Sequence, residues 1–385
     1  MTTIYLIRHA EAEGNVYRRF HGWYNSLITV NGYRQIEALA QRFRDVHIDA
    51  VYSSDLYRTM TTASAIYVPK QRPLRLDADL REIGGGVWED KPWGELRRSA
   101  PQLLSAFNAA HPDWQVEGSE TFAAVQDRVS QAIARIAAAH EGQTVAIFSH
   151  GTAIRCAMAK FYGYPVEEIA RLHHGDNTSV SKLTFRDGVP TVEYYNDTRH
   201  LGPLSTMGKQ RWWHSKDPEE YGRYNLWFRP LDFTAEEAFY RQARRDAWQS
   251  IYGTLDGCNE DTFAAEARKH SDYFPTSVLV AMQNQTPAGI LQLDLRHEAD
   301  QCVGHIPFLY LLPHAQGKGL GVQLLGQAVS AYRPLGRQFL RLHCAPEHTV
   351  GYRFYTSHGF RKVGEAPGGI GGLETLEAYI GYGKV

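Results

Sequence analysis

The first half of the chain sets short apolar runs between stretches of helical periodicity. Ile4–Ile7 is apolar without alternation, as a strand buried on both faces requires, and Ala50–Ser53 and Thr144–Ser149 repeat the pattern. The spacing predicts helices from Thr29, a suitable N-cap, to Phe43 and over Leu56–Tyr67. A long helix comes next, with Ser119 as its cap and Phe122, Val125, Val129, Ile133 and Ile136 along one face. A further helix is expected over Thr152–Tyr162 and a last strand over Thr191–Asn196; the pattern weakens after Leu201-Gly202-Pro203. Strands alternating with helices predict a mostly parallel sheet covered on both faces.

From Leu226 a different order begins: a strand, helices, then strands at about Ser277–Met282, Gly289–Leu295 and Gly304–Leu312. A helix from Gly319 to Tyr332, a strand at Phe339–Cys344, a helix near Val350–His358 and a terminal strand complete an α+β domain of its own. The expected division is 1–203, a connector over 204–225, and 226–385. The connector carries Trp212, Trp213, Tyr221 and Tyr224, which are costly to leave in water, so it is expected to be ordered and packed. No internal repeat or low-complexity segment interrupts this order.

Composition narrows the classes. A chain of 385 residues exceeds one ordinary core, and 43% hydrophobic with 22% charged residues is a globular balance. Lys and Arg number 41 against 42 Asp and Glu, a formal charge of -1, which provides no global field for nucleic acid or an anionic membrane. Cys156, Cys258, Cys302 and Cys344 lack metal-ligand spacing and read as free thiols in a reducing compartment. The N-terminus reaches Arg8 after a very short apolar run, unlike a signal peptide, and no apolar stretch is long enough to span a bilayer. The expected setting is cytoplasmic, with no metal, nucleic-acid or membrane partner.

Reactive groups gather beyond the carboxyl ends of parallel strands. Arg8-His9 comes directly after the first strand and Ser149-His150-Gly151 directly after another, so two histidines emerge at one rim. Arg58 lies in the first turn of the helix after Ser53-Ser54, Asn15 in the loop after the first strand, and Glu82 in the Arg81-Glu82-Ile83-Gly84-Gly85-Gly86 loop. Leu6-Ile7-Arg8-His9-Ala10-Glu11-Ala12-Glu13-Gly14-Asn15 resembles the signature of the histidine phosphatase, or phosphoglycerate-mutase-like, superfamily. Arg19-Phe20-His21-Gly22-Trp23 through Gln35, Ser53 to Thr59, Leu80-Arg81-Glu82 through Trp88-Glu89, and Ser149-His150-Gly151 match its further motifs in order.

The resemblance covers residues 1 to about 202 and implies a three-layer α/β/α fold and a small phosphorylated substrate. By it, His9 is the nucleophile, with Arg8, Arg58 and His150 donating to the phosphoryl oxygens. The amides of Gly151 and Thr152 open a helix and favour an anion. Glu82 becomes the proton donor to the leaving oxygen if the pocket raises its pKa; otherwise it is a solvated loop carboxylate. His21 and Gly22 match the substrate loop beside Asn15, His21 standing where glutamine is common; a surface role for His21 is the alternative. Gly84, Gly85 and Asp90 depart from the pattern and predict a roomier, more mobile rim. The segment after His9 lacks the Gly-Glu-Ser run of the mutases, which favours a phosphatase over a mutase-type phosphotransferase.

In the second half, Gln316-Gly317-Lys318-Gly319-Leu320-Gly321 lies just after the strand ending Leu311-Leu312-Pro313 and opens a helix carrying Leu320, Leu324, Leu325, Ala328 and Val329. Its glycines let backbone amides approach a pyrophosphate. With Phe354-Tyr355-Thr356-Ser357-His358-Gly359-Phe360 downstream, the segment from about 226 to 385 resembles the GNAT N-acetyltransferases. That implies acetyl-CoA as co-substrate, its pyrophosphate on the amides from Gln316 through Gly317, Lys318, Gly319 and Leu320 to Gly321, with Leu311 on the adjoining strand. Tyr355 would protonate the departing thiolate, or is simply an aromatic core residue. His348 and Gly351 stand where the family often has Asn and Ala. The general base is His305 or Asp294, and Gly368–Gly372 is an acceptor lid or a plain loop. A bifunctional enzyme is expected, against a phosphatase whose second domain only binds CoA. The phosphorylated substrate, the amine acceptor, any shared pathway and the oligomeric state stay open.

Overall fold

The computed structural model describes residues 1–209 and 224–382. The chain divides into two compact units, Met1–Lys91 with Leu96–Lys216 and Pro92–Glu95 with Asp217–Val385. Trp212, Trp213 and Tyr221, on which the packed connector was argued, lie outside the described residues.

In the first unit the strands are β1 (Thr2–Arg8), β2 (Ala50–Ser53), β3 (Leu74–Leu76), β4 (Thr144–Ser149), β5 (Val180–Arg186) and β6 (Val189–Asp197), in the sheet order β3-β2-β4-β1-β5-β6. The four at the β3 end are mutually parallel, while β5 and β6 close the other end antiparallel. β3 and β5 were not anticipated: β3 is short and largely exposed, and β5 alternates buried Leu183 and Phe185 with Lys182 and Thr184. The helices are α1 (Glu13–Tyr17), α2 (Val30–Arg42), α3 (Tyr57–Tyr67), α4 (Trp93–Ser99), α5 (Pro101–Asn108), α6 (Phe122–Ala139), α7 (Gly151–Phe161) and α8 (Thr206–Lys209).

Thr29 caps α2 as expected, its side chain accepting from the Gly32 amide. Ser119 does not cap α6. Thr121 holds that position and accepts from Ala124, while the Ser119 hydroxyl accepts from the Val116 amide in the preceding turn. The anticipated face of α6 is buried throughout. Ile7 of β1 packs with Leu39 and Phe43 from the α2 side and Ile66 of α3. Ile4 and Leu6 point the other way and are fully buried, on the side where α6 and α7 meet β1. Each such side chain contributes roughly 1.5–3 kcal/mol by burial.

In the second unit, β7 (Leu226–Pro230), β8 (Val278–Gln283), β9 (Thr286–Asp294), β10 (Val303–Leu311), β11 (Phe339–Cys344), β12 (Arg361–Ala366) and β13 (Leu373–Tyr379) form a sheet ordered β12-β13-β11-β10-β9-β8-β7. Two strands, not one, close the chain, and Gly368–Gly372 joins them as a hairpin connection. Helices α9 (Phe233–Tyr252) and α10 (Glu260–Tyr273) bury Tyr240, Ala243 and Ala267 with Val278, Val280 and Ile290. Helix α11 (Gly321–Tyr332) buries Leu324, Leu325, Ala328 and Val329 as anticipated; α12 is Thr349–Ser357. Among the described residues, no helix is long and apolar enough to cross a membrane.

The bonds of the first unit run past residue 203. Thr206, buried in α8, donates to Glu11 Oε2 (2.9 Å) and accepts from Gln35 Nε2 (2.9 Å). Gln35 in turn accepts from the Glu11 amide (2.7 Å) and donates to the Leu204 carbonyl (2.8 Å). Thr206→Val keeps the shape and leaves Glu11 and Gln35 each one hydrogen bond short, a loss of about 1–3 kcal/mol. Urea titration of the full chain should show the transition of the first unit at lower denaturant; an unchanged midpoint would show this network to be dispensable.

Candidate active sites

The register of β1 against β4 places Arg8 opposite Ser149, and β2 against β4 places Ser53 opposite Phe148. The chain therefore leaves three adjacent strands at one level. The His9 amide donates to Ser149 O (3.0 Å) and the Ser54 amide to Phe148 O (3.0 Å), bringing His9, Ser54 and His150 together beyond the sheet. The His9 and His150 ring centroids are 5.3 Å apart.

His9 Nδ1 lies 2.7 Å from the carbonyl of Ala10. A carbonyl only accepts, so Nδ1 carries the proton and Nε2 is left as a bare lone pair. Burial, then the charges of Arg58 and Arg8, holds the His9 pKa well below the ordinary histidine value, which keeps the ring neutral. Burial and Arg58 do the same to His150. Ser54 Oγ is 2.8 Å from His150 Nε2; with the hydroxyl donating there, the His150 proton sits on Nδ1. That Nδ1 is buried without a hydrogen-bond partner, and so is Nε of Arg8. Arg8 Nη1 donates to Gly175 O (2.5 Å), and a Cβ at Gly151 would come within 3.3 Å of Arg8 Cζ, so glycine there lets the guanidinium lie against the start of α7. A phosphoryl group at His9 Nε2 would satisfy both orphaned donors.

Glu82 corrects one expectation. The anion at the start of α7 is its own carboxylate: Oε2 accepts from Thr152 N (3.0 Å), and Oε1 from Ala153 N (2.9 Å) and Ile83 N (3.0 Å). Helix amides without internal partners and the positive end of the helix dipole draw it there. The Thr152 amide is thus engaged at rest, and Glu82 is no solvated loop carboxylate. Arg128, paired with Glu120 at 2.7 Å, donates to the carbonyls of Asp79, Arg81 and Glu82 and fixes this loop.

The loop from His21 to Tyr24 is held by two charged side chains. Arg58, 1% exposed, donates to the carbonyls of Tyr24 (3.0 Å), His21 (3.3 Å) and Gly22 (2.7 Å). The Glu89 carboxylate collects the amides of Gly22, Trp23, Tyr24 and Gly85. Side chains at Gly84 and Gly85 would meet the Trp23 ring at 3.2 Å and the Phe20 ring at 2.2 Å. The expected roomier rim is therefore overturned: aromatic rings fill the space that those glycines leave. Asp90, where the pattern has glycine, adopts φ 58°, and its carboxylate receives Arg19 Nε (2.7 Å) and faces His21 Nε2 (3.1 Å). His21 is tucked against Gly14 with its ring tilted 35° to that of Tyr24, a buried and not a surface placement; burial lowers its pKa. Asn15 Oδ1 accepts from Ala12 N (3.0 Å) and Asn177 Nδ2 (3.3 Å), and Asn177 also donates to His9 O (3.0 Å). Ser54, Glu89, Arg128 and Asn177 were not anticipated as site residues. They act from loops or on one helix with no periodic signal; only the Trp88-Glu89 pair had marked the spot.

In the second unit, β10 pairs with β11 only from Val303–Phe339 to His305–Arg341, although both strands run on. Beyond that point the two part, leaving one edge of β10 as far as Leu311 without a ladder toward β11. Gly317 and Gly319, at φ 69° and 73°, shape an exposed turn before α11, and nothing lies within 4 Å of a Cβ added at either. Gln316 steadies it by donating to Leu311 O (2.8 Å). The helix begins at Gly321, not Gly319, with Leu320 buried at its cap and Lys318 exposed in the turn. An open turn at a helix start beside an unpaired strand edge fits a pyrophosphate with an extended arm. Tyr355 lies on α12 between the rings of Phe354 and Phe360, and burial pushes its phenol pKa up, holding it protonated. The His348 ring occupies the space a side chain at Gly351 would need, 2.5 Å from such a Cβ. Asp294 is fully engaged: Oδ1 takes the amides of Arg296 (3.0 Å) and His297 (3.1 Å), and Oδ2 faces His270 Nε2 (3.2 Å). His305 Nε2 is buried without a partner.

A sheet whose adjacent parallel strands deliver two neutral histidines, flanked by arginines, is suited to a phosphoryl group, and a seven-stranded sheet splayed before a glycine turn is suited to an acyl-CoA. Comparison with known proteins agrees. Residues 4–198 match the histidine phosphatase superfamily (branch 1), and residues 238–360 match the acetyltransferase (GNAT) family. The chain belongs to the histidine phosphatase superfamily and carries a GNAT domain in its second half, the fold classes anticipated. The probable phosphoglycerate mutase GpmB of Proteus mirabilis is 29% identical over 216 residues, 55% of this chain and 100% of the relative. YhfR of Bacillus stearothermophilus is 33% identical, with a TM-score of 0.50 over 52% of this chain and 99% of its own. A phosphoserine phosphatase from Entamoeba histolytica, solved with 3-phosphoglyceric acid, is 26% identical, with a TM-score of 0.47 over 52% of this chain and 100% of its own.

The buried histidines give a signed pH dependence. The pKa values of His9 and His150 are lowered, and that of His174 is brought down to about 3, mainly by burial and then by Arg155. The unfolded chain protonates histidine near pH ~6.5, so below that it binds more protons than the folded one. Stability therefore falls as pH falls, by up to about 1.4 kcal/mol per pH unit per group. The urea midpoint of the first unit should be lower at pH ~5.5 than at ~7.5, with a smaller gap in His174→Gln; equal midpoints would contradict this linkage.

Proposed function

We propose that the first unit hydrolyses phosphomonoesters of a small metabolite through phosphohistidine at His9, and that the second transfers an acetyl group from acetyl-CoA to a small amine. The observation that carries the first part is the unprotonated Nε2 of His9 in a site where Arg8 Nε and His150 Nδ1 are buried without partners. His9 Nε2 attacks phosphorus, and Arg8, Arg58 and His150 offset the charge on the equatorial oxygens, the task a divalent cation performs elsewhere. In its protonated form Glu82 gives its proton to the leaving oxygen, and as the carboxylate it then takes one from the water that cleaves phosphohistidine. Asn15, His21, Gly22 and Gly151 bound the substrate. A mutase-type phosphotransferase is the second reading, favoured by the likeness to GpmB; it predicts transfer to an acceptor hydroxyl in preference to water.

His9→Ala should abolish phosphate release from p-nitrophenyl phosphate, and EDTA should leave the wild type active. Dependence on added Mg²⁺, or near-normal turnover in His9→Ala, would overturn this mechanism. Glu82→Gln should slow hydrolysis most for esters with poor leaving groups, by roughly 10²–10⁴-fold.

Acetyl-CoA, when bound, supplies the acetyl group as an activated thioester. The amides from Gln316 to Gly321 hold its pyrophosphate, and Tyr355 returns a proton to sulfur. Acetyl-CoA at 100 times its Kd should stabilise the second unit by about 2.7 kcal/mol, visible as a raised Tm. Gly319→Glu, which repels the pyrophosphate, should remove that shift; Tyr355→Phe should retain it and lose turnover. Absence of any shift in the wild type would remove the basis for this half.

A further inference from the structure

The turn from Gly175 to Ser179, which leads into β5, grips both residues at the end of β1. The Gly175 carbonyl accepts from Arg8 Nη1 (2.5 Å) and the Ser179 carbonyl from the Arg8 amide (3.1 Å). The His9 carbonyl accepts from the Thr178 amide (3.2 Å) and from Asn177 Nδ2 (3.0 Å). Gly175 has no room for a side chain, since a Cβ there would come within 2.1 Å of Asn196 Oδ1. Thr178 sits at φ 56°, a left-handed conformation that a β-branched residue adopts only where its surroundings impose it.

Two residues of this turn are held from outside it. Asp176, 6% exposed, takes the amides of Asn177 (2.7 Å) and Met207 (3.2 Å) on Oδ1 and the Ser205 hydroxyl on Oδ2. The Ser205 hydroxyl in turn accepts from the Gly208 amide (2.8 Å), which leaves its own proton for Asp176. His200 Nδ1 accepts from Arg42 Nη1 (3.1 Å), so Nε2 carries the proton and donates to Thr178 Oγ1 (3.1 Å). His200, Ser205 and Met207 all lie past residue 198, where the match to the histidine phosphatase superfamily stops. Burial lowers the pKa of Arg8, and Asp176 leads the charges that oppose that effect. A buried carboxylate that receives three donors is stiff as well as satisfied, because hydrogen bonds to a charge are short and strong.

We propose that Asp176 is a positioning residue for the phosphoryl site, and that Ser205 and Met207, from the stretch beyond the superfamily's domain, hold it there. The inference rests on the phosphatase reading. No bond is made or broken at Asp176. It fixes where the Gly175 carbonyl and the Asn177 side chain stand, and these fix the guanidinium of Arg8 and the backbone of His9. Attack on phosphorus tolerates little error in either, and a displacement of about 1 Å costs about 10²-fold in rate. The segment leading out of the first unit thus aligns its site and is more than a tether.

The test uses the full chain with p-nitrophenyl phosphate as substrate and orthovanadate as an inhibitor that resembles the transition state. Asp176→Asn keeps an acceptor for both amides and can donate to Ser205, so it should retain the wild-type kcat. Asp176→Ala should lower kcat about 10²-fold and Ser205→Ala about tenfold, with KM rising by less than kcat falls. Ser205→Thr, which keeps the hydroxyl, should match the wild type. A fold defect only removes active molecules and leaves the vanadate inhibition constant unmoved, whereas misalignment weakens it along with kcat/KM. Should Asp176→Ala fail to fold in a urea titration, the two Ser205 variants decide. Full kcat in Ser205→Ala, equal losses in Asp176→Asn and Asp176→Ala, or an unmoved vanadate constant overturns the proposal. Wild-type protein that releases no phosphate overturns instead the reading beneath it.

Discussion

Each unit depends on how far one pair of parallel strands stays together. In the first, β1 and β4 pair through to Arg8 and Ser149 and end at the same level, so the backbone delivers His9 and His150 side by side before any side chain has a choice. In the second, β10 and β11 pair through His305 and Arg341 and then part. One ladder carried to its end creates a rim; the other, stopped early, creates a cleft. Parallel pairing is suited to both because every strand exits in the same direction, so the loops leaving neighbouring strands become neighbours themselves.

Around the first rim, charge is arranged by backbone more than by side-chain pairing. Glu82 rests on helix amides, Arg58 on three loop carbonyls, and Glu89 on four amides. Each charged group is satisfied where it stands, which limits its freedom and holds the loops over the histidines. Arg8 Nε and His150 Nδ1 are left buried without partners. An unsatisfied buried donor is costly, and an anion would offset that cost.

The second unit shows the same economy. Asp294 accepts from two amides and faces a histidine, while Glu298 and His305 each keep a buried atom without a partner. Register explains why Asp294 and His305 were equally plausible from sequence: they are direct partners on adjacent strands. Only the bonds around each distinguish them.

The sequence by itself determined most of the elements and the placing of two histidines at strand ends. Unbroken apolar runs marked β1, β2 and β4, and the period of Phe122, Val125, Val129, Ile133 and Ile136 marked α6, because burial on two faces or on one stripe imposes those patterns locally. His9 and His150 were legible as strand-end residues for the same reason. Glycine, however, reads alike whether it leaves space or yields it to a neighbour. That Gly84 and Gly85 admit Trp23 and Phe20 is a fact of side chains distant in sequence. The partners of Glu82 and Asp294 and the supports given by Ser54, Arg128 and Asn177 were decided only by tertiary structure. A hydrogen bond depends on where two atoms meet, and local pattern carries no record of meetings between segments far apart in the chain.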